Sequence, residues 1–311
     1  ETKFTSNFSE RGFKKSPEPL RWKKPTIPTG VEVDFVDGIT TIAGCGDAGF
    51  RSGMAVHQFV CNADMEDRSF YNADGSMCLI PHLGELIVIT EFGRMHVRVG
   101  ELFVIPRGLK FTVQVFSPQA CGWIAESFGA HFKLPERGLL GGHGLAEERH
   151  FAIPTAWYED RPCPGYRLTA KYGGELHEST LQHSPYDVCG WHGNYYPYKY
   201  NMHLFKAFGS VTTDHSDPSI HTILTVPADE RGNNAVDVAA FVPRWDPTLH
   251  TFRPPYYHRN QATEFNGIVK MSEAHSGFEK GGSFLTPSFT AHGISTTGTK
   301  ANLGANNGPT H

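Results

Sequence analysis

The chain has 311 residues, of which 39% are hydrophobic and 19% charged, and its formal net charge is −4. This composition excludes a disordered chain, and the mildly negative charge excludes a nucleic-acid partner held by a basic surface. No apolar run reaches the roughly 18 residues of a transmembrane helix, so no membrane partner is expected. The 33 glycines and 21 prolines argue against an all-helical protein.

The cysteines favour neither disulfides nor a thiolate metal site, because none of them forms a CxxC pair. They are Cys45, Cys61, Cys78, Cys121, Cys163 and Cys189. We expect free thiols in a reducing compartment. Together with the lack of an apolar signal segment, this predicts a cytoplasmic location.

In chain order, residues 1–30 are polar and rich in proline, and we expect an arm that wraps over a surface rather than a core element. Strands are predicted next, from alternating or continuous apolar patterns. The predicted strands cover residues 31–36, 86–89, 94–99, 102–105 and 111–116. Their spacing of about 8–12 residues, with Gly or Pro between them, is typical of an antiparallel sandwich or barrel. The best helix candidate is short and lies at residues 145–150.

A second block of strand-like segments begins near residue 201 and includes residues 220–226 and 236–242. We therefore expect a mainly β protein with an N-terminal β domain over residues 1–200 and a C-terminal domain over residues 201–311.

The pattern Gly100-x5-Pro106-x-Gly108 in the first block resembles the strand-connecting motif of cupin jelly rolls. In cupins a histidine ligand follows three residues after the second glycine, and here that position is Phe111. The first block is thus predicted to be a β-sandwich or degenerate cupin-like scaffold. Chemistry is expected in the second block, a cupin-like jelly-roll barrel.

The first candidate for chemistry is the pair His258 and Glu264, six residues apart. An even offset puts both side chains on one face of a continuous strand, but six strand residues span about 20 Å, too far for one ion. A shared metal therefore requires the chain to turn between them, and residues 259–261 are polar enough to form that turn. A surface loop with an isolated histidine is the alternative.

His292 comes after the small residues Gly281-Gly282-Ser283 and the segment 284–287. Small residues before a strand that carries a histidine would let that side chain reach an interior. With His258 and Glu264 it gives two imidazoles and one carboxylate, the ligand set of non-haem Fe(II) oxygenases. The same three residues could hold a catalytic zinc and its water. The residues alone leave both metals open.

His215 lies between Asp214 and Asp217. A histidine flanked by two carboxylates can shuttle protons near neutral pH. The alternative is an ordinary turn, which the following Asp-Pro dipeptide favours.

Strings of residues along the chain resemble the homogentisate 1,2-dioxygenase family, in order, over about residues 20–293. The iron-ligand segment of that family resembles Phe252-Arg253-Pro254-Pro255-Tyr256-Tyr257-His258-Arg259-Asn260. Further matching strings are Leu20-Arg21-Trp22-Lys23, Phe70-Tyr71-Asn72, Thr90-Glu91-Phe92-Gly93, Ala156-Trp157-Tyr158-Glu159-Asp160-Arg161, Trp191-His192-Gly193-Asn194-Tyr195, Pro197-Tyr198-Lys199-Tyr200-Asn201, Asp217-Pro218-Ser219-Ile220 and Pro243-Arg244-Trp245.

The resemblance implies that His258, Glu264 and His292 hold Fe(II) and that His215 is the acid/base catalyst beside the metal. It implies a dioxygenase that inserts both atoms of O2 into a hydroquinone-type ring, converting homogentisate to maleylacetoacetate in tyrosine and phenylalanine catabolism. It also implies a small aromatic substrate, O2 as co-substrate, and homotrimers that pair into hexamers.

One departure from the family concerns the substrate carboxylate. The family usually has a tyrosine between the glutamate and the last histidine ligand, whereas this chain has none from Phe265 to Ala291. We expect His292, Arg259 and His275 to bind the substrate, and Lys270 or a residue of a neighbouring subunit could hold its carboxylate in place of the tyrosine. Three alternatives stay open: a zinc-dependent cupin isomerase or hydrolase, a divergent member acting on another hydroquinone, and a non-catalytic cupin-fold protein.

Overall fold

The structure is a computed structural model that describes residues 2–6, 8, 15–136, 146–188, 195–205, 222–242, 257–271 and 278–293. Within these residues the strands are β1 (Thr2–Lys3), β2 (Leu20–Trp22), β3 (Ile39–Asp47), β4 (Ser52–Cys61), β5 (Arg68–Asn72), β6 (Ser76–Leu83), β7 (Leu86–Thr90), β8 (Gly93–Val97), β9 (Glu101–Ile105), β10 (Phe111–Val115), β11 (Ala120–Ser127), β12 (Phe151–Ala152), β13 (Pro162–Tyr172), β14 (Glu175–His183), β15 (Tyr198–Asn201), β16 (Thr222–Pro227), β17 (Asn234–Ala239), β18 (Tyr257–His258), β19 (Glu264–Gly267), β20 (Ser283–Thr286) and β21 (His292–Gly293). Short 3₁₀ turns occupy Glu148–His150 and Met202–Leu204.

Two large sheets form a sandwich, which confirms the prediction of a mainly β protein. The first has the strand order β1-β3-β4-β11-β6-β9-β15-β12 and the second β14-β13-β5-β10-β7-β8. From β4 to β11 the chain passes repeatedly from one sheet to the other, as in a jelly roll. Phe59 and Phe103 of the first sheet meet Phe70 and Val88 of the second in a fully buried apolar core.

The cupin-like pattern includes β9, and both of its glycines have positive φ. Gly100 has φ 90° and Gly108 has φ 79°, values that favour glycine because a side chain there is strained. Phe111 follows and is fully buried, with its ring 5.5 Å from that of Phe70 and 6.0 Å from that of Phe35. The position of the cupin histidine ligand is therefore occupied by part of the apolar core.

The predicted strand at residues 31–36 is wrong. The segment forms no strand and is held largely by the side chain of Asn62. Its Oδ1 accepts from the Val33 N–H at 2.7 Å, and its Nδ2 donates to the Val31 carbonyl at 2.9 Å. Phe35 and Val36 are both buried, so the two-residue alternation ends there.

The N-terminal arm also differs from expectation, because it contributes to the core. β1 pairs with β3, and Phe4 is 4% exposed inside the main apolar cluster. Further along, β2 pairs with β20, so the arm contacts both the sandwich and the C-terminal segments.

A charged network is buried in the sandwich beside Phe4. His57, Glu126 and Lys171 are fully buried, and Lys171 Nζ donates to both carboxylate oxygens of Glu126 at 2.7 and 2.9 Å. Lys171 Nζ also lies 3.2 Å from Asp74 Oδ2, and His57 Nε2 lies 2.8 Å from Glu126 Oε2. Burial alone would raise the pKa of the Glu126 carboxyl, but Lys171 and His57 lower it below its usual range. The buried ammonium group of Lys171 therefore pairs with two carboxylates, those of Glu126 and Asp74.

After residue 205 the described segments form three small sheets, β16-β17, β18-β21 and β19-β20-β2. Ile223, Leu224 and Val226 of β16 join an apolar cluster with Leu102 and Val104 of β9. This hairpin therefore packs on the first large sheet. The predicted domain division at residue 200 stays a prediction.

The cysteines in the described part of the chain are free, as predicted for Cys45, Cys61, Cys78, Cys121 and Cys163. Cys189 lies outside the described residues. Among the described residues, no helix has both the length and the apolar character needed to cross a membrane.

Candidate metal centre

The structure brings His258, Glu264 and His292 together. One donor atom from each side chain can be chosen so that all three lie within 4.8 Å of one another. His258 and His292 are direct partners in the β18-β21 pair, and their ring centroids are 4.2 Å apart. Backbone pairing therefore places the two imidazoles side by side.

The chain turns between His258 and Glu264. His258 ends β18, and Glu264 begins β19 in a different small sheet. The turn is stabilised by a hydrogen bond of 2.7 Å, which the Phe289 N–H donates to the Asn260 carbonyl. A continuous strand would keep the two side chains too far apart for one ion. The turn instead brings them close enough to share one.

Both carboxylate oxygens of Glu264 have partners in the site. The amide nitrogen Nδ2 of Asn260 donates to Oε1, and Oε2 lies 3.1 Å from His292 Nε2. Asn260 therefore orients the carboxylate so that one oxygen faces the imidazole.

The hydrogen-bond partner of His292 Nδ1 indicates which ring nitrogen carries a hydrogen. Nδ1 lies 2.9 Å from the Thr290 carbonyl oxygen, which can only accept, so Nδ1 carries the hydrogen. The second nitrogen, Nε2, is the one that faces Glu264 Oε2. Ligands about 2.1 Å from one cation lie about 3.0 Å apart at a right angle, so the observed 3.1 Å fits a shared metal ion.

Two imidazoles and one carboxylate fit a divalent transition metal and leave coordination positions open for other ligands. Zinc and iron both accept this donor set. The three side chains are half-buried, so the site remains open to solvent and to small molecules.

Of the other predicted site residues, the structure describes only Arg259. Arg259 is described and exposed, directly after His258. His215 and His275 lie outside the described residues. The orienting roles of Asn260 and Thr290 were not predicted from the sequence. Asn260 stood inside the matched motif, but nothing in the sequence indicated which side chain it would contact.

The opposite side of β19 packs on the first large sheet. The Phe265 ring lies 6.5 Å from the ring of Trp123, and a Cβ added at Gly267 would meet the Trp123 ring at 2.8 Å. The His82 ring packs against Trp123 in a tilted arrangement, with centroids 4.5 Å apart. The strand that begins with Glu264 thus rests on a buried aromatic surface of the sandwich.

Burial lowers the pKa of His82 from 6.5 to about 4, and the charge of Lys280 acts in the same direction. The unfolded chain therefore binds a proton below pH 6.5 that the folded chain excludes until about pH 4. We expect the free energy of unfolding to fall by up to about 3 kcal/mol through this group as the pH drops from 6.5 to 4. Urea unfolding at several pH values measures it.

His82→Phe keeps an aromatic ring on Trp123 and removes the titrating group, so it provides the comparison for this pH dependence. The variant should lose less stability than the wild type between pH 6.5 and 4. An identical loss in both proteins would show that His82 does not contribute.

Comparison with known proteins identifies related sequences over the whole chain. The family described as homogentisate 1,2-dioxygenase N-terminal matches residues 1–202, and its C-terminal counterpart matches residues 203–311. Homogentisate 1,2-dioxygenase of Arabidopsis thaliana is 45% identical over 303 residues, 97% of this chain and 66% of the relative. The enzyme of Mus musculus is 46% identical over 93% of this chain and 65% of the relative. The chain therefore spans about two thirds of their length.

Similarity to solved structures is much weaker. Protein Ylba from E. coli covers 92% of this chain, and the match covers 90% of Ylba, with a TM-score of 0.39 and 10% identity. A cupin-2 domain protein from Shewanella frigidimarina covers 29% of this chain, and the match covers 78% of that protein, with a TM-score of 0.24 and 18% identity. Similarity at this level supports no conclusion.

Proposed function

Because the chain belongs to the homogentisate 1,2-dioxygenase family, we propose that it is an Fe(II)-dependent dioxygenase that cleaves a hydroquinone-type ring. The proposed reaction converts homogentisate and O2 to maleylacetoacetate, with both oxygen atoms retained in the product, in tyrosine and phenylalanine catabolism. The observation that carries the proposal is the cluster of His258, Glu264 and His292 donors within 4.8 Å.

Fe(II) held by these three residues supplies the redox chemistry that lets O2 react with an aromatic ring. The protein contributes the position and charge of the ligands. Asn260 fixes Oε1 of Glu264, and Thr290 fixes Nδ1 of His292, so Oε2 and Nε2 are held facing each other. Preorganised donors of this kind reduce the reorganisation needed to bind the ion.

We further propose that Arg259, His275 and His292 bind the substrate. The exposed guanidinium of Arg259 follows the ligand His258 directly, and guanidinium pairs well with carboxylates in two-point contacts. Arg259 would take the role that a tyrosine has in the family. His275 is proposed from the sequence alone.

His215 is proposed to take the proton of the substrate hydroxyl and to return it later in the reaction. We expect His215→Gln to lower kcat by about 10²–10⁴-fold, the usual contribution of a general acid/base, with iron still bound. Steady-state kinetics and metal analysis of the same preparation measure both quantities. A variant with wild-type turnover would remove His215 from the mechanism.

The proposed function is tested by loading the full chain with Fe(II) without oxygen and then adding O2 and one substrate. Homogentisate, gentisate and plain hydroquinone are compared for O2 uptake and for a product heavier by two oxygen atoms. Uptake only with another hydroquinone would identify a divergent member. Bound iron without any uptake would favour a non-catalytic protein, and binding of zinc alone would favour an isomerase or hydrolase.

Two further proposals concern the whole protein. Assembly into homotrimers or hexamers remains a prediction from the family resemblance. A cytoplasmic location remains a prediction from the sequence. The free state of the five described cysteines supports a reducing compartment.

A further inference from the structure

The loop that precedes His292 is held by the N-terminal arm. The hydroxyl of Thr290 donates to the Pro17 carbonyl at 2.7 Å, a contact between residues 273 positions apart. The carbonyl of the same threonine accepts from His292 Nδ1 at 2.9 Å. Thr290 therefore connects the arm directly to the imidazole.

The arm is fixed to the C-terminal segments along several residues. β2 pairs with β20, with Leu20 opposite Leu285, and becomes the third strand of the sheet whose other edge is β19. The Arg21 guanidinium lies 5.0 Å from the centroid of the Phe278 ring, and the Lys24 N–H donates to Glu279 Oε1 at 3.2 Å. These contacts hold residues 20–24 of the arm, just after Pro17, on the C-terminal segments.

The loop needs support from outside, because one of its residues has an unfavourable backbone conformation. Phe289 has φ 58°, in the left-handed region that costs energy for a residue with a side chain. The residue is 66% exposed, so burial does not offset this cost. Hydrogen bonds from the Phe289 N–H to Asn260 and from Thr290 to Pro17 hold the loop instead.

From these contacts we propose that the N-terminal arm is part of the metal centre, with Thr290 as a positioning residue that orients His292 through its carbonyl. When the hydroxyl of Thr290 stays on Pro17, its carbonyl stays on Nδ1, and Nε2 stays turned towards Glu264 Oε2. The proposal rests on the proposed function in one respect, that His292 is a metal ligand.

The test is the dissociation constant of Co(II), titrated into the full chain by its visible spectrum, for the wild type and two variants. Thr290→Val keeps the shape of the side chain and removes the hydroxyl. We expect about tenfold weaker binding and an altered spectrum, within the 10–100-fold range for residues that orient a ligand. Thr290→Ser restores the hydroxyl and is expected to bind Co(II) within about threefold of wild type, because the hydrogen bond is retained.

The outcomes separate this inference from the proposed function. A wild type that binds no Co(II) or Fe(II) would contradict the metal centre itself. If the wild type binds metal and the Thr290→Val variant binds it with the same affinity and the same spectrum, the proposed role of the arm is overturned. If Thr290→Val does not fold, Pro17→Gly is used instead. It makes the backbone more flexible on the arm's side of the same hydrogen bond and should weaken metal binding about two- to fivefold. Unchanged affinity in that variant would likewise overturn the role of the arm.

Discussion

Replacing Glu264 by glutamine is expected to weaken Fe(II) binding at least about 100-fold without unfolding the protein. The amide has nearly the same shape as the carboxylate but lacks the one negative charge that the three ligands provide. Changes to residues that merely orient a ligand already cost about 10–100-fold in affinity, so loss of a charged ligand should cost more. Anaerobic titration with Fe(II) gives the affinity, and thermal unfolding checks the fold.

Glu230→Gln is the matched control, because Glu230 is exposed between β16 and β17 and lies outside the cluster of ligands. The control should bind Fe(II) like the wild type. Equal affinity in Glu264→Gln and Glu230→Gln would mean that Glu264 is not a ligand.

Replacing Lys171 by methionine is expected to destabilise the fold by about 3–5 kcal/mol. The change removes the cation that faces Glu126 and Asp74. The fully buried carboxylate of Glu126 then keeps its contacts with His57 and Asn72 but has no ammonium group beside it. The free energy of unfolding in urea measures the effect. A loss below about 1 kcal/mol would mean that water or a rearrangement compensates the carboxylates.

Two further variants isolate the cause of this loss. Lys171→Met with Glu126→Gln removes both charges and should recover part of the stability, because the penalty belongs to the unpaired charge. Lys110→Met breaks a partly exposed pair with Glu91 and should cost no more than about 1 kcal/mol. A double variant less stable than Lys171→Met would contradict the explanation.

Several strands of the sandwich were predictable because their burial follows a simple pattern. Met95 and Val97 point inward in β8 while Arg94 is exposed, and the continuous apolar segment of β9 is buried throughout. In contrast, β14 was not predicted, since it is almost entirely exposed and carries no apolar alternation. Its pairing with β13 is set by the chain reversal at Gly173 and by backbone hydrogen bonds.

For the candidate site, the sequence supplied the three ligand positions mainly through the family resemblance. Spacing within the chain showed only that His258 and Glu264 need a turn between them. The contacts of Thr290 with Pro17 and of Asn260 with Glu264 depend on how distant segments meet, which no local pattern records. The same holds for Trp123, which lies in a buried strand and supports β19 from behind.

The most direct test of the metal centre is anomalous diffraction at the iron absorption edge, from crystals of the full chain grown with Fe(II) in the absence of oxygen. We expect one strong peak about 2.0–2.3 Å from a ring nitrogen of His258, a ring nitrogen of His292 and a carboxylate oxygen of Glu264. A peak bound elsewhere, or no peak beside these three side chains at saturating Fe(II), would contradict the assignment.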